Sequence, residues 1–332
     1  MNLAIIGATG NVGRKIIEVL EKSKLAIENL YLVASKKSAG QKMKFNSQEI
    51  VIQQLEEYDF SKAEITIFAA GSEIAKNWAP TASKKTIVID NSKQFRMDDD
   101  VPLVVPEVNP NDLKKHKNII ANPNCSTIQL VLPLKPLHDK YKIRRVIVST
   151  YQAVSGAGKA SVDELLRQTK DSLDNKKIKS ENFTKQMAFN LIPHIDVFVE
   201  DGYTKEEWKM ENETKKILDK NIGLSATCVR VPVKTSHSES VNIEFENEYD
   251  LSTVKEILRN ASGCRVIDEE KDGGYITPLE AEDEYLTFIS RIRKDHSNKK
   301  AINIWVVSDN LLKGAALNSV QIAEYLEERL KK

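Results

Sequence analysis

The sequence predicts an α/β protein in two parts: a parallel, doubly wound sheet first, then an α+β part with a mixed sheet. Three observations carry this. Over the first ~125 residues, short β-branched runs alternate with amphipathic stretches, the pattern of strand–helix–strand units. A glycine-rich turn separates the first strand from the first helix. Beyond residue 140 several apolar runs alternate residue by residue, as in strands with one covered face.

LAIIG (3–7) reads as the first strand. Val12 to Glu21 reads as a helix with Val12, Ile16, Val19 and Leu20 on one face. Residues 30–35, 65–70 and 86–91 are nearly continuous apolar runs, expected of strands covered on both faces. The Pro-, Asp- and Asn-rich stretch 92–112 reads as loop. After Ile119-Ile120-Ala121 a helix starts near Cys125, and Pro133 is expected to end or kink it after about two turns. In the second part, residues 144–154, 226–233, 240–246, 285–293 and 301–308 read as strands, with helices at 159–169, 204–219 and 251–260. The last segment, with apolar residues at 317, 320, 322 and 326, is an amphipathic helix. We therefore divide the chain into residues 1–125, completed by a returning helix 313–332, and residues 126–312.

The chain has 332 residues, 49 Lys and Arg against 48 Asp and Glu, and a formal net charge of +1. That balance argues against a nucleic-acid binder, which carries a basic surplus, and against docking on anionic membranes. No apolar run approaches a membrane span, and MNLAIIGATG lacks the basic start and long apolar stretch of a signal peptide, so a cytoplasmic protein is expected. Cys125, Cys228 and Cys264 are far apart, which suits neither a disulfide framework nor a zinc site, and no metal is expected.

Gly7-Ala8-Thr9-Gly10-Asn11-Val12-Gly13 follows a strand and opens a helix. Glycines let the backbone turn sharply and approach a pyrophosphate, while the helix N-terminus offers free N–H groups. The spacing is GxxGxxG rather than GxGxxG. At the end of the second strand an NAD binder usually places a carboxylate on the ribose 2′-hydroxyl. Here Ala34-Ser35-Lys36-Lys37-Ser38 offers none, and the serines and lysines suit a 2′-phosphate, so NADP is expected.

Asn122-Pro123-Asn124-Cys125-Ser126-Thr127 places a cysteine at the start of a helix, where the positive dipole end favours a thiolate. Cys228 and Cys264 read as small buried hydrophobes. In residues 227–233 the alternation sets Val229, Val231 and Val233 on one face and points Arg230 away from that valine core. Glu206 and Lys209, three apart, share one helix face. His237 stands in a polar turn, Thr235-Ser236-His237-Ser238-Glu239, between two strands.

Along nearly its whole length the sequence resembles the aspartate-β-semialdehyde dehydrogenase family. The segments that carry the resemblance are GATGNVG, NPNCSTIQ, STYQAVSGAG, EEWKMENETKKI, CVRVPVKTSHSES and DNLLKGAALNSVQIAE. It implies a Rossmann-like dinucleotide-binding domain and a C-terminal α+β catalytic and dimerisation domain. It also implies NADPH-dependent reduction of L-aspartyl-4-phosphate to L-aspartate 4-semialdehyde and phosphate, a step toward lysine and diaminopimelate, threonine, methionine and isoleucine. Cys125 becomes the nucleophile that forms a thioester, and His237 the acid/base. Arg230 clamps the substrate carboxylate, Glu206 meets its amino group and Gln152 orients it near the cysteine. Arg96, Asn124 and Lys209 match phosphate ligands, and Ser155, Gly156 and Asn310 match contacts to the nicotinamide half of the cofactor. Lysine stands at 36 and 37 where relatives often have arginine, a point charge in place of a planar fork. The resemblance implies a homodimer or a pair of dimers acting on a small molecule. Two other readings stay open: N-acetyl-γ-glutamyl-phosphate reductase, and a non-catalytic NADP-binding homologue.

Overall fold

The computed structural model describes residues 1–330, and the chain forms two units. The first runs from Met1 to Asn124 and resumes at Ala315; the second is Cys125–Gly314. The last two positions of the expected helix 313–332 lie outside the described residues.

In the first unit, strand β1 (Asn2–Ile6) leads through the glycine turn into helix α1 (Asn11–Lys22), whose Ile16, Ile17, Val19 and Leu20 are buried. Then come β2 (Asn29–Ala34), β3 (Lys42–Phe45), β4 (Gln48–Val51) and β5 (Gln53–Gln54). Strand β6 (Ile65–Phe68), helix α2 (Ser72–Ala82), β7 (Ile87–Asp90) and β8 (Ile119–Ala121) follow. Six strands pair in parallel in the order β5-β2-β1-β6-β7-β8, and β3 and β4 form a separate hairpin. The crossing from β2 to β1 to β6 leaves the strand ends open beside the glycine turn, where a doubly wound sheet binds its ligand.

The second unit opens with α3 (Cys125–Tyr141). Pro133 does not end it: the helix runs 17 residues with Pro133 and Pro136 inside it. Each proline forfeits one helical hydrogen bond. Burial of Leu130, Leu134 and Leu137 in the core of this unit outweighs that loss. Strand β9 (Ile143–Gln152), helix α4 (Lys159–Leu173), helix α5 (Lys205–Ile217), and strands β10 (Gly223–Arg230) and β11 (His237–Phe245) follow. Helix α6 (Leu251–Arg259), β12 (Cys264–Val266), helix α7 (Pro278–Ala281), β13 (Thr287–Lys294) and β14 (Ala301–Ser308) complete the unit. They form a mixed sheet in the order β10-β9-β11-β14-β13-β12, with β10 and β9 parallel, β12 and β13 parallel, and the other pairs antiparallel. A π-turn at Leu312–Ala316 precedes the last helix, α8 (Leu317–Leu330). This helix belongs to the first unit, where Asn318 donates to Val104 O and Asn122 Oδ1 and Ser319 to Asn91 Oδ1.

The covered face of the second sheet is built in rows. Ala226, Val148, Val241 and Ile304 pair across four strands and form one apolar row. The row above it reads Cys228, Thr150, Glu239 and Val306. Glu239 is fully buried, and neither carboxyl oxygen has a partner of good hydrogen-bond geometry, although the Gln129 amide acts on it. Burial raises its pKa well above the usual carboxylate value, with Gln129 opposing weakly.

Cys264 departs from expectation: it is half-buried on the edge strand β12 rather than fully buried. The side of β10 is also corrected. Arg230 lies on the covered face with Leu224, Ala226 and Cys228, while Val229 is only half-buried on the other. The period of two was legible, but which face the helices cover was not.

Two stability predictions follow from this packing. A Cβ at Gly13 would come within 2.2 Å of Gly7 O and 2.8 Å of Ala8 Cα, so Gly13→Ala should lower unfolding stability by roughly 1–3 kcal/mol in denaturant titration. A raised Glu239 pKa means the native state holds a proton that the unfolded chain releases above its ordinary carboxylate value. That contribution is complete below the unfolded pKa and is lost as pH rises toward the native one. Glu239→Gln should therefore gain on the parent as pH rises above about 4.5, by up to about 1.4 kcal/mol per pH unit. A stability gap flat between pH 5 and 8 would show that the carboxyl titrates normally.

Candidate active site

The top row of the covered face holds three of the residues that the sequence singled out. Arg230 closes β10 opposite Gln152, which closes β9. His237 opens β11, pairs with Ser308 of β14, and stands with Gln152 one residue beyond the Ser238–Tyr151 pair. His237 is not in a turn, as the sequence suggested; it is the first residue of a strand and 0% exposed. Cys125, half-buried, is the first residue of α3, so its sulfur sits at the positive end of a 17-residue helix. Gly314 packs against it, and a Cβ there would lie 2.8 Å from Cys125 Cβ.

A chain of bonds ties these side chains together. Thr150 donates to Gln152 Oε1 at 3.0 Å, and Gln152 Nε2 donates to Glu206 Oε1 at 3.0 Å. Glu206 Oε2 and Lys209 Nζ are 2.5 Å apart, on the shared helix face the spacing predicted, and Lys209 also reaches Asp196 at 3.3 Å. Arg230 Nη1 donates to Ala153 O at 2.7 Å, and the Ala153 amide donates to His237 Nδ1 at 3.0 Å. Gly156 leaves the space above them open, since a Cβ there would sit 3.2 Å from both Arg230 Nη1 and His237 Nε2. Asn310 receives the Ser236 amide on Oδ1 at 2.9 Å and donates to Ser155 Oγ at 3.0 Å. It thereby supports Ser236, whose φ of 71 is unusual for a residue with a side chain.

Burial, then the Arg230 charge, lowers the His237 pKa to about 3, against the weaker pulls of Glu206 and the Ser236 carbonyl. Burial lowers that of Arg230, which Glu206, Cys125 and Cys228 oppose. Burial pushes the Cys228 thiol up, and with Met210 Sδ 3.7 Å away it is an inert core group. A cysteine at a helix terminus, a buried guanidinium and a buried ammonium–carboxylate pair thus all belong to the second unit.

The first unit holds the remaining predicted residues. Gly7, with φ 87, turns the chain after β1; its amide bonds Val33 O at 2.8 Å, and the Gly10 amide bonds Gly7 O at 3.0 Å. No side chain caps α1 at Gly10, so its first turn, with Asn11, Val12 and Gly13, presents open N–H groups. Thr9 Oγ1 lies 3.5 Å from Ser38 Oγ, and Ser35 and Lys37 are exposed in the turn after β2. Arg96 is buried and donates to Asn122 O at 2.9 Å and Asn91 O at 3.0 Å, bracing the segment that ends in the buried Asn124. Among the described residues no group of three or more His, Cys, Asp or Glu is placed to hold a metal ion, and no helix is long and apolar enough to cross a membrane.

Sequence reasoning passed over Ala153, Gly314 and Glu239. Glu239 had a signal, since it lies two residues from His237 on a strand and so shares its face. Ala153 and Gly314 act through backbone and through an absent side chain, which leave no mark of residue type.

Residues 2–116 match the model of the semialdehyde dehydrogenase NAD binding domain, and residues 134–313 match that of the semialdehyde dehydrogenase dimerisation domain. The aspartate-semialdehyde dehydrogenase of Aquifex aeolicus is 51% identical over 330 residues, covering 98% of this chain and 97% of its own. The crystal structure of aspartate semialdehyde dehydrogenase II from Vibrio cholerae superposes with a TM-score of 0.96 at 45% identity, covering 98% of each chain. The Candida albicans aspartate semialdehyde dehydrogenase solved with NADP gives 0.76 at 28% identity, again over 98% of each chain. With both family models matched in order and such identity over nearly its full length, this chain belongs to the aspartate-semialdehyde dehydrogenase family.

Proposed function

We propose that the protein reduces L-aspartyl-4-phosphate to L-aspartate 4-semialdehyde and phosphate with NADPH, through a thioester on Cys125, as a cytoplasmic homodimer. The reading rests on one observation above all: Cys125 at the first position of α3, in the same unit as the row Arg230, Gln152 and His237. The product is the aldehyde that feeds lysine and diaminopimelate, threonine, methionine and isoleucine synthesis.

Arg230 holds the substrate carboxylate, Glu206 its ammonium group, and Gln152 its reacting end; Arg96, Asn124 and Lys209 receive the phosphate. Cys125 attacks the acyl carbon and phosphate departs, leaving the thioester. His237 attends the oxygen of the reacting carbonyl. A dinucleotide fits the first unit because the uncapped α1 terminus and the Gly7, Thr9, Gly10, Asn11, Val12 and Gly13 turn offer open N–H groups, and Gly13, where a Cβ would strike Gly7 O and Ala8, lets the helix start close against that turn. Ser35, Lys37 and Ser38 suit a 2′-phosphate, and Ser155, Gly156 and Asn310 the nicotinamide half. When bound, the cofactor supplies the hydride that reduces the thioester. The preference for NADP is supported by the lack of a carboxylate at the end of β2 and by the Candida relative solved with NADP. The outer face of the second sheet carries exposed Ile147 and Tyr151, the latter packed 5.5 Å from Trp305, which suits a subunit interface.

The direct test is phosphate-dependent NADP reduction with aspartate semialdehyde. Activity confined to the N-acetyl-γ-glutamyl substrate would overturn the substrate assignment. Cys125→Ala should abolish turnover and leave the NADP dissociation constant unchanged in a titration; turnover within tenfold of the parent would refute the nucleophile. Arg230→Lys should raise the substrate KM by about tenfold or more, the worth of a charged hydrogen bond, without altering NADP affinity. Equal damage to both would make Arg230 structural.

A further inference from the structure

Gly314 stands where local structure favours another residue. It lies buried in the π-turn Leu312–Ala316, which runs directly into α8. Its φ is not left-handed, so its backbone conformation is open to alanine. In a helical position of that kind glycine is the poorer choice, because it leaves the unfolded chain more freedom to lose. What alanine would meet there is Cys125. A Cβ on Gly314 would lie 2.8 Å from Cys125 Cβ, 3.2 Å from its Cα and 3.6 Å from its carbonyl oxygen, and these are its three nearest neighbours. The first is closer than side chains tolerate, and two of the three are backbone atoms, which cannot rotate aside.

The turn brings bare backbone to that point and holds it there. The Gly314 amide donates to Asp309 O, five residues back, at 3.2 Å, which is the hydrogen bond of a π-turn. Asp309 is 1% exposed, and its carboxylate anchors the start of the turn. Oδ1 accepts the Leu311 and Leu312 amides at 2.8 and 3.0 Å, and Oδ2 accepts the Asp283 amide at 2.9 Å. Asn310, the next residue, is bonded to Ser236 and Ser155. The Gly314 backbone is thus fixed by groups outside α3, whereas Cys125 is the first residue of that helix, where helices fray.

We propose that Gly314 is a positioning residue for the nucleophile: its bare Cα, held by the π-turn, is the stop against which Cys125 rests, and it meets the Cβ and backbone of that residue rather than its sulfur. The inference rests on the thioester reading and adds the part that aims the thiolate. As the sulfur–carbon bond forms, the bond from carbon to the phosphate oxygen breaks and its electron pair leaves with phosphate. Gly314 takes no part in that exchange. It acts on the approach of sulfur to carbon, for which a misplacement of about 1 Å costs on the order of 10²-fold in rate.

Gly314→Ala should lower kcat by roughly 10- to 100-fold, with the substrate KM and the NADP dissociation constant within about twofold of the parent. Ala315→Gly is the control, since it loosens the same turn without adding an atom; it should lower the unfolding midpoint and keep kcat within about threefold. A Gly314→Ala enzyme with parental kcat, or an Ala315→Gly enzyme as damaged as Gly314→Ala, would overturn the inference and leave Gly314 a purely structural residue. A measurement on the parent decides the matter even where Gly314→Ala does not fold. One α-hydrogen of Gly314 points where the Cβ would stand, so protein labelled at glycine and cysteine should show a strong nuclear Overhauser effect from it to the Cys125 β-hydrogens; its absence would refute the contact. Mass spectrometry for an acyl adduct on parental Cys125 separates the failures. No adduct sinks the thioester reading and this inference with it, while an adduct together with parental kcat in Gly314→Ala sinks this one alone.

Discussion

The peptide unit of Ala153 is the constraint on which the site depends. It follows the last residue of β9, and both of its polar groups are engaged by side chains from neighbouring strands: the amide by His237 of β11, the carbonyl by Arg230 of β10. One planar, stiff group therefore sets the spacing of His237 and Arg230. A side chain in that place would bring rotamers and their entropy; a peptide bond brings neither.

Beneath that unit the second sheet changes character one row at a time. Arg230, Gln152 and His237 form the top row, Cys228, Thr150 and Glu239 the second, and Ala226, Val148 and Val241 the apolar third. Polar groups in the second row are costly to bury unless they are neutral or bonded. Thr150 meets this by bonding Gln152, Cys228 by remaining a thiol, and Glu239 by retaining its proton. The floor of the site is thus rigid and uncharged except where Arg230 and the Glu206–Lys209 pair place charge.

The first unit was legible because its signals are local. Strand β1, the glycine turn and α1 follow one another in 22 residues, and each can be read from residue type and period. The same holds for Glu206 and Lys209, whose pairing needs only a helix. Elsewhere local rules lost to packing. Pro133 read as ending or kinking the helix, yet α3 runs on past it because its flanks are buried in one core. Alternation in β10 was visible, but its covered side depends on where α3 and α5 pack.

By itself, the sequence determined the fold class, the glycine turn before the first helix and the cysteine at a helix start. These are properties of short segments, carried by period, capping and composition. Only the tertiary structure decided that His237 is sealed at a strand start, that Arg230 faces inward, and that both bond the Ala153 peptide, 84 residues from His237 in the chain. Strand pairing brings such groups together, and the hydrogen bonds of a backbone are the same for every residue that could stand there.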